Sequence, residues 1–260
     1  MIRVGVGGWT YEPWRGPFYP QGLKHADELA YAARNLTAIE INGTFYRAQS
    51  PVSFAKWRDE TPDGFVFTVK GHRAVVNKKK LAEAGEALDW FFNSGVTELG
   101  PKLGPVLWQL APFKKFDADD IAAFLTLLPK EAGGLKLRHA LEVRSKSYLT
   151  PAFVDLARKH KVAVVYADSD DYPAIADVTG DFVYARLQRS QAEIDTGYAA
   201  GDLDRFARLA KAWAAGEDPD DVPHVAPKRA PKKKRDVFVF MISGAKVRAP
   251  AAATALIARL

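Results

Sequence analysis

Short apolar and β-branched runs recur along the chain, separated by stretches whose apolar residues fall at helical spacing. Ile2–Val6, Ala38–Ile41, Phe65–Val69, Val106–Leu110, Ala140–Val143, Ala163–Ala167, Phe182–Leu187 and Val237–Ile242 read as eight strands. Most are continuous rather than alternating, the pattern of parallel strands covered on both faces. Helical patterns lie between them. Asp27–Asn35 carries Leu29, Ala30 and Ala33 at helical spacing, and Asp119–Leu128 opens on acids suited to a helix N-terminus. Thr150 and Pro151 read as a cap and first turn, and Leu203–Ala214 and Pro250–Leu260 complete the series.

Strand–helix alternation of this kind predicts a parallel sheet. Eight strands in about 250 residues predict an α/β fold, a closed (β/α)8 barrel of the TIM type, as a single domain over 1–260. An open doubly wound sheet is the alternative. No Gly-x-Gly-x-x-Gly or P-loop pattern follows a strand to favour it. Residues 216–235, with four prolines and acids followed by bases, read as an irregular charged loop before the last strand.

In such a barrel, chemistry gathers at the C-terminal strand ends. There the chain places Glu40 and Asn42, Lys70, Gln109, Glu142 and Arg144, Asp168, and Arg186 and Gln188. Side chains alternate along a strand, so Glu40 and Asn42 share a face, as do Glu142 and Arg144, and Arg186 and Gln188. Aromatic residues crowd the loops after the first two strands, and Trp9 and Tyr46 are the candidates for pocket walls.

The sequence resembles the YecE-like family, also called domain of unknown function 72. The resemblance rests on Gly7-Gly8-Trp9-Thr10-Tyr11, Glu40-Ile41-Asn42-Gly43-Thr44-Phe45-Tyr46-Arg47, Phe67-Thr68-Val69-Lys70, Leu103-Gly104-Pro105-Val106-Leu107-Trp108-Gln109-Leu110 and Leu141-Glu142-Val143-Arg144. It implies a triosephosphate-isomerase-type barrel and supplies no reaction. The chain departs from the family pattern at Ser145, at Gln188-Arg189 and at Met241-Ile242-Ser243, which marks it as a divergent member. The histidines that the family carries after its Glu-x-Arg pair and in its seventh strand are therefore absent here.

Three readings of the charged strand ends stay open. Glu40, Glu142 and Asp168 would hold Mg²⁺ or Mn²⁺ through oxygen ligands. Glu40, Glu142, Asp168 or Lys70 would act as catalytic acid, base or nucleophile. Or the three acids pair with Lys70, Arg144 and Arg186 as a structural layer. The preferred expectation is a hydrolase or isomerase acting on a small anionic or polyhydroxylated substrate. Arg144, Arg186 and Lys70 would hold its anion, and Asn42, Gln109 and Gln188 would orient its hydroxyls. A non-catalytic metabolite-binding barrel is a further alternative.

Composition narrows the classes. The absence of cysteine excludes disulfides, thiolate nucleophiles and sulfur-ligated metals. The net charge of +6 is local, because Lys228, Arg229, Lys232, Lys233, Lys234 and Arg235 supply it and leave 31 bases against 31 acids. That run is the candidate for nucleic-acid contact, against the plainer expectation of a solvated loop. The chain opens directly on strand-like residues and has no apolar run long enough for a bilayer. No membrane association and a cytoplasmic location are therefore expected.

Overall fold

A computed structural model describes residues 1–260. Eight parallel strands close into a barrel: β1 (Ile2–Gly7), β2 (Ala38–Ile41), β3 (Val66–Lys70), β4 (Leu103–Gln109), β5 (His139–Glu142), β6 (Ala163–Asp168), β7 (Phe182–Leu187) and β8 (Asp236–Met241). Each pairs with its neighbours in sequence, and β8 closes on β1 with Ile2 opposite Val237 and Val6 opposite Met241. The eight predicted strands are thus all present, with ends shifted by up to three residues.

Helices pack around the strands. The predicted ones form as α1 (Glu28–Asn35), α5 (Ala118–Leu127), α6 (Pro151–His160), α7 (Ala200–Ala215) and α8 (Ala249–Ile257). Three more, α2 (Pro51–Asp59), α3 (Arg73–Val76) and α4 (Gly85–Asn93), fill the connections on either side of β3. Ser50 caps α2 by accepting from Ser53 N at 3.1 Å. Thr150 stands at the predicted cap of α6, but its side chain makes no capping bond.

Two apolar layers hold the barrel. Inside, Ala38, Val66, Leu107, Ala163, Phe182 and Phe240 share one cluster, small residues beside large ones. Outside, the alternate strand residues meet the helices, as Val4, Val69, Trp108 and Tyr166 do. Above the inner layer the interior turns polar. The Thr68 and Tyr184 hydroxyls lie 2.9 Å apart, and Tyr184 donates to Glu40 at 2.7 Å. No helix is long and apolar enough to cross a membrane.

Residues 216–235 contain no helix or strand, as predicted, but they are not simply solvated. Val222 and Ala226 are buried, and the Asp177 carboxylate accepts from the backbone N–H groups of Val225 and Ala226 at 2.6 and 3.1 Å. The loop folds back under the barrel because a buried acid satisfies its backbone donors.

Candidate functional site

The C-terminal strand ends open into a cleft of about 640 Å³. Trp9, Asn42, Tyr46, Lys70, Gln109, Arg144 and Arg186 line it. Gly7 forms part of the floor, where a Cβ would stand 2.6 Å from the Asn42 amide nitrogen and 2.7 Å from Ile242. A side chain there would displace Asn42. Trp14 is fully buried against Tyr11, Phe18 and Tyr19, and Tyr19 donates to the Trp9 carbonyl at 2.6 Å. These aromatic contacts fix the first strand's loop against the rim.

Beneath the cleft lies an ion-pair network. Arg186 points inward from β7 and donates through Nε and Nη2 to both oxygens of Glu40, at 3.2 and 2.9 Å. Its Nη1 donates to Glu142. Glu142 also accepts from Gln109 at 3.0 Å and from Arg144 Nε at 2.8 Å. Burial alone would raise the Glu142 carboxyl, but Arg186 and Arg144 hold it down at about 2. Burial lowers the Arg186 guanidinium, and Glu142 and Glu40 more than reverse that. Burial and then Glu40 raise the Tyr184 hydroxyl well above its ordinary value, so it stays a donor.

Glu40 and Glu142 are fully buried, 0% exposed, so neither carboxylate reaches the cleft surface to exchange a proton with a substrate. Arg186 spends three of its five N–H donors on them, and the two carboxylates already match its charge. The two glutamates therefore support the cleft from beneath instead of meeting a substrate, whereas Arg186 itself reaches the cleft lining.

Asp168 and Gln188 stand apart from the cleft. Along β6, Ala163 and Val165 belong to the barrel interior, so Asp168 has the opposite parity and faces outward with Tyr166. It pairs with Arg189 instead of the cations expected for it. No group of three or more His, Asp or Glu side chains is therefore close enough to hold a metal, and the carboxylate set for Mg²⁺ or Mn²⁺ is not assembled. Gln188 lies past the end of β7, with its Nε2 buried and unpartnered. His72 is structural: its Nδ1 accepts from Ala74 N at 3.0 Å at the start of α3.

Lys70 is the exception among the charged groups. It is 8% exposed, its Nζ sits 4.3 Å from the centre of the Phe45 ring, and it has no carboxylate ion pair. Burial first, and then Arg186, pull its ammonium down to about 8, against the opposing pull of Glu40 and Glu142. Arg144 lies over the Tyr172 ring at 4.1 Å and donates to its hydroxyl through Nη1, which leaves Nη2 available. Lys246 also lines the cleft, with Nζ 4.3 Å from the Tyr11 ring, and burial lowers its ammonium. Sequence reading missed Lys246 because it lies in the loop after β8, outside any strand pattern.

The two glutamates and two arginines cancel in charge. Lys70 and Lys246 remain as the cleft's surplus of basic side chains.

The family model described as "Protein of unknown function DUF72" matches residues 3–260. The chain is similar to the UPF0759 protein YunF of Bacillus subtilis, 25% identical over 160 residues, covering 60% of this chain and 55% of that protein. It is similar to the UPF0759 protein YecE of Escherichia coli, 27% identical over 141 residues, covering 54% and 49%. These matches span about half the length of each relative. A solved DUF72 family protein from Thermotoga maritima shares the fold, with a TM-score of 0.73 and 22% identity over 99% of this chain and 97% of that one.

Proposed function

Since this chain belongs to the DUF72 family, which brings a fold and no reaction, we propose from its own residues that the cleft binds a small anionic, hydroxyl-bearing molecule on which Lys70 moves a proton. The observation that carries this reading is Lys70 itself, a buried amine without a carboxylate partner at the cleft wall. An amine titrating near 8 is partly neutral close to neutral pH, where a general base works best. Arg144 Nη2 and Lys246 hold the anion. Asn42 orients a hydroxyl, and Trp9 and Tyr46 enclose the substrate. The neutral Lys70 amine accepts a proton from an acidic position and returns it to another, which is isomerase chemistry and leaves the substrate's composition unchanged. Glu40, Glu142 and Arg186 serve by fixing the floor and its charge.

The test incubates the protein in D₂O with triose, pentose and hexose phosphates. Deuterium should enter one of them with the wild type and not with Lys70→Met. Binding without incorporation would mean a non-catalytic binder, and equal incorporation by Lys70→Met would overturn the role of the lysine.

A further inference from the structure

A second cleft, of about 1050 Å³, opens at the opposite face of the barrel. Its walls come from residues that precede strands: Lys136–His139 before and at β5, Lys161 and Val162 before β6, Gly180–Phe182 at β7, and Arg235 before β8. The C-terminal end of α6 and the docked loop close its sides. Ten lysines and arginines line it against two aspartates.

Some of these cations already have partners. Arg138 pairs with Asp236 and Arg229 with Asp220, each at 2.8 Å. Lys159 and Lys161 sit at the end of α6, where a helix dipole favours positive charge. Those facts leave Lys130, Lys136, Lys228 and Lys233 without any carboxylate partner.

The two innermost cations are the most informative. Arg235 is 5% exposed and its Nη1 has no hydrogen-bond partner. Both terminal nitrogens of Arg158 are also unpartnered, and they approach Asp177 and Asp155 only at 3.6 and 3.7 Å. These guanidinium nitrogens have no hydrogen-bond acceptor in the protein, and their charge adds to the positive potential of the cleft. The cleft also acts on its own titrating residue. Burial, then Lys159 and Lys130, lower the His160 imidazole.

We infer that this cleft binds the phosphate backbone of single-stranded nucleic acid. One phosphate uses only a few donors, whereas these cations come from the Glu131–Lys136 hairpin, α6 and the docked loop. Such a spread suits a chain of phosphates. The cleft has no exposed Phe, Tyr or Trp side chain, because its single residue of that kind, Phe182, is 1% exposed. No Phe, Tyr or Trp platform is therefore available for base stacking, and the phosphate contacts make binding independent of sequence. A duplex is stiff over about 150 base pairs and cannot fold its phosphates into a recess, whereas a single strand can. Lys232 and Lys234 belong to the same basic run but lie outside the cleft, so the basic run as a whole is not the binding unit.

The experiment measures fluorescence anisotropy of a labelled mixed-sequence single strand with the full chain. Wild type should bind, with affinity falling steeply as salt rises. Lys136→Glu with Lys228→Glu should weaken binding by about tenfold or more at low salt. Lys232→Glu with Lys234→Glu changes the net charge equally and should leave affinity within about twofold of wild type. Equal thermal midpoints verify that both variants fold. Equal losses in the two variants would overturn the cleft as the site. So would tighter binding of a duplex of the same sequence, or an affinity that does not respond to salt.

Discussion

Arg186 lays the fork of its guanidinium against both carboxylate oxygens of Glu40, at 3.2 and 2.9 Å, from a strand 146 residues further along the chain. Its remaining terminal nitrogen binds Glu142, so one side chain ties β7 to β2 and β5.

Removing Arg186 strands two buried carboxylates. Arg186→Met should cost about 3–5 kcal/mol in urea unfolding. Glu40→Gln with Glu142→Gln in the same background should recover part of that loss. If Arg186→Met unfolds like the wild type, the network carries no structural weight.

Lys70 gives a pH signature with a definite sign. Its folded value is about 8 and its ordinary value 10.5. Below pH 8 both states are protonated, and the cost of burying the charge is fully present. Between pH 8 and 10.5 the unfolded chain binds the proton and the folded one does not, so stability rises with pH. The difference corresponds to about 3 kcal/mol. Lys70→Met should raise the urea midpoint at pH 7 and abolish the rise. A Lys70 titration near 10.5, followed by NMR of the methylated amine, would contradict this.

His139 acts in acid. Its Nδ1 accepts from Trp108 Nε1 at 3.1 Å, so Nε2 carries the proton and donates to the Pro129 carbonyl at 2.7 Å. Burial holds it at about 4 against an ordinary 6.5. As pH falls from 6.5 to 4 the unfolded chain takes up a proton that the folded chain does not, and stability drops by about 3 kcal/mol. His72 and His160 shift in the same direction, so the contrast between wild type and His139→Gln isolates the residue. Parallel urea midpoints from pH 7 to 4 in the two proteins would refute the assignment.

Asp177 anchors the charged loop. Asp177→Ala removes the acceptor of Val225 and Ala226 N–H and should free residues 216–235. Trypsin should then cut within residues 228–235 at least several times faster, with the barrel left intact. Mass spectrometry of the fragments locates the cut, and unchanged rates would mean the anchor is elsewhere.

The barrel was legible because most strands are continuous apolar runs, and only their ends were blurred. The shared inward face of Glu40 and Asn42, and of Glu142 and Arg144, was legible from alternation. Asp168 misled because it closes β6 one residue after an inward position, and position at a strand end does not fix parity. Lys70 appeared as one charge among several. Its isolation depends on Arg186 satisfying both glutamates, a long-range relation that no local pattern carries. Lys246 and the buried donors of Arg158 and Arg235 depend likewise on how loops fold back.

The pairing of β1 with β8 also bears on synthesis. The partner of Ile2 is Val237, so β1 leaves the ribosome with one flank of backbone N–H and C=O groups unmatched. That flank stays bare until Asp236–Met241 has been made. An open strand edge of this kind invites pairing with other nascent chains. The edge stays open for as long as β8 is missing, and truncation before Asp236 leaves it exposed permanently.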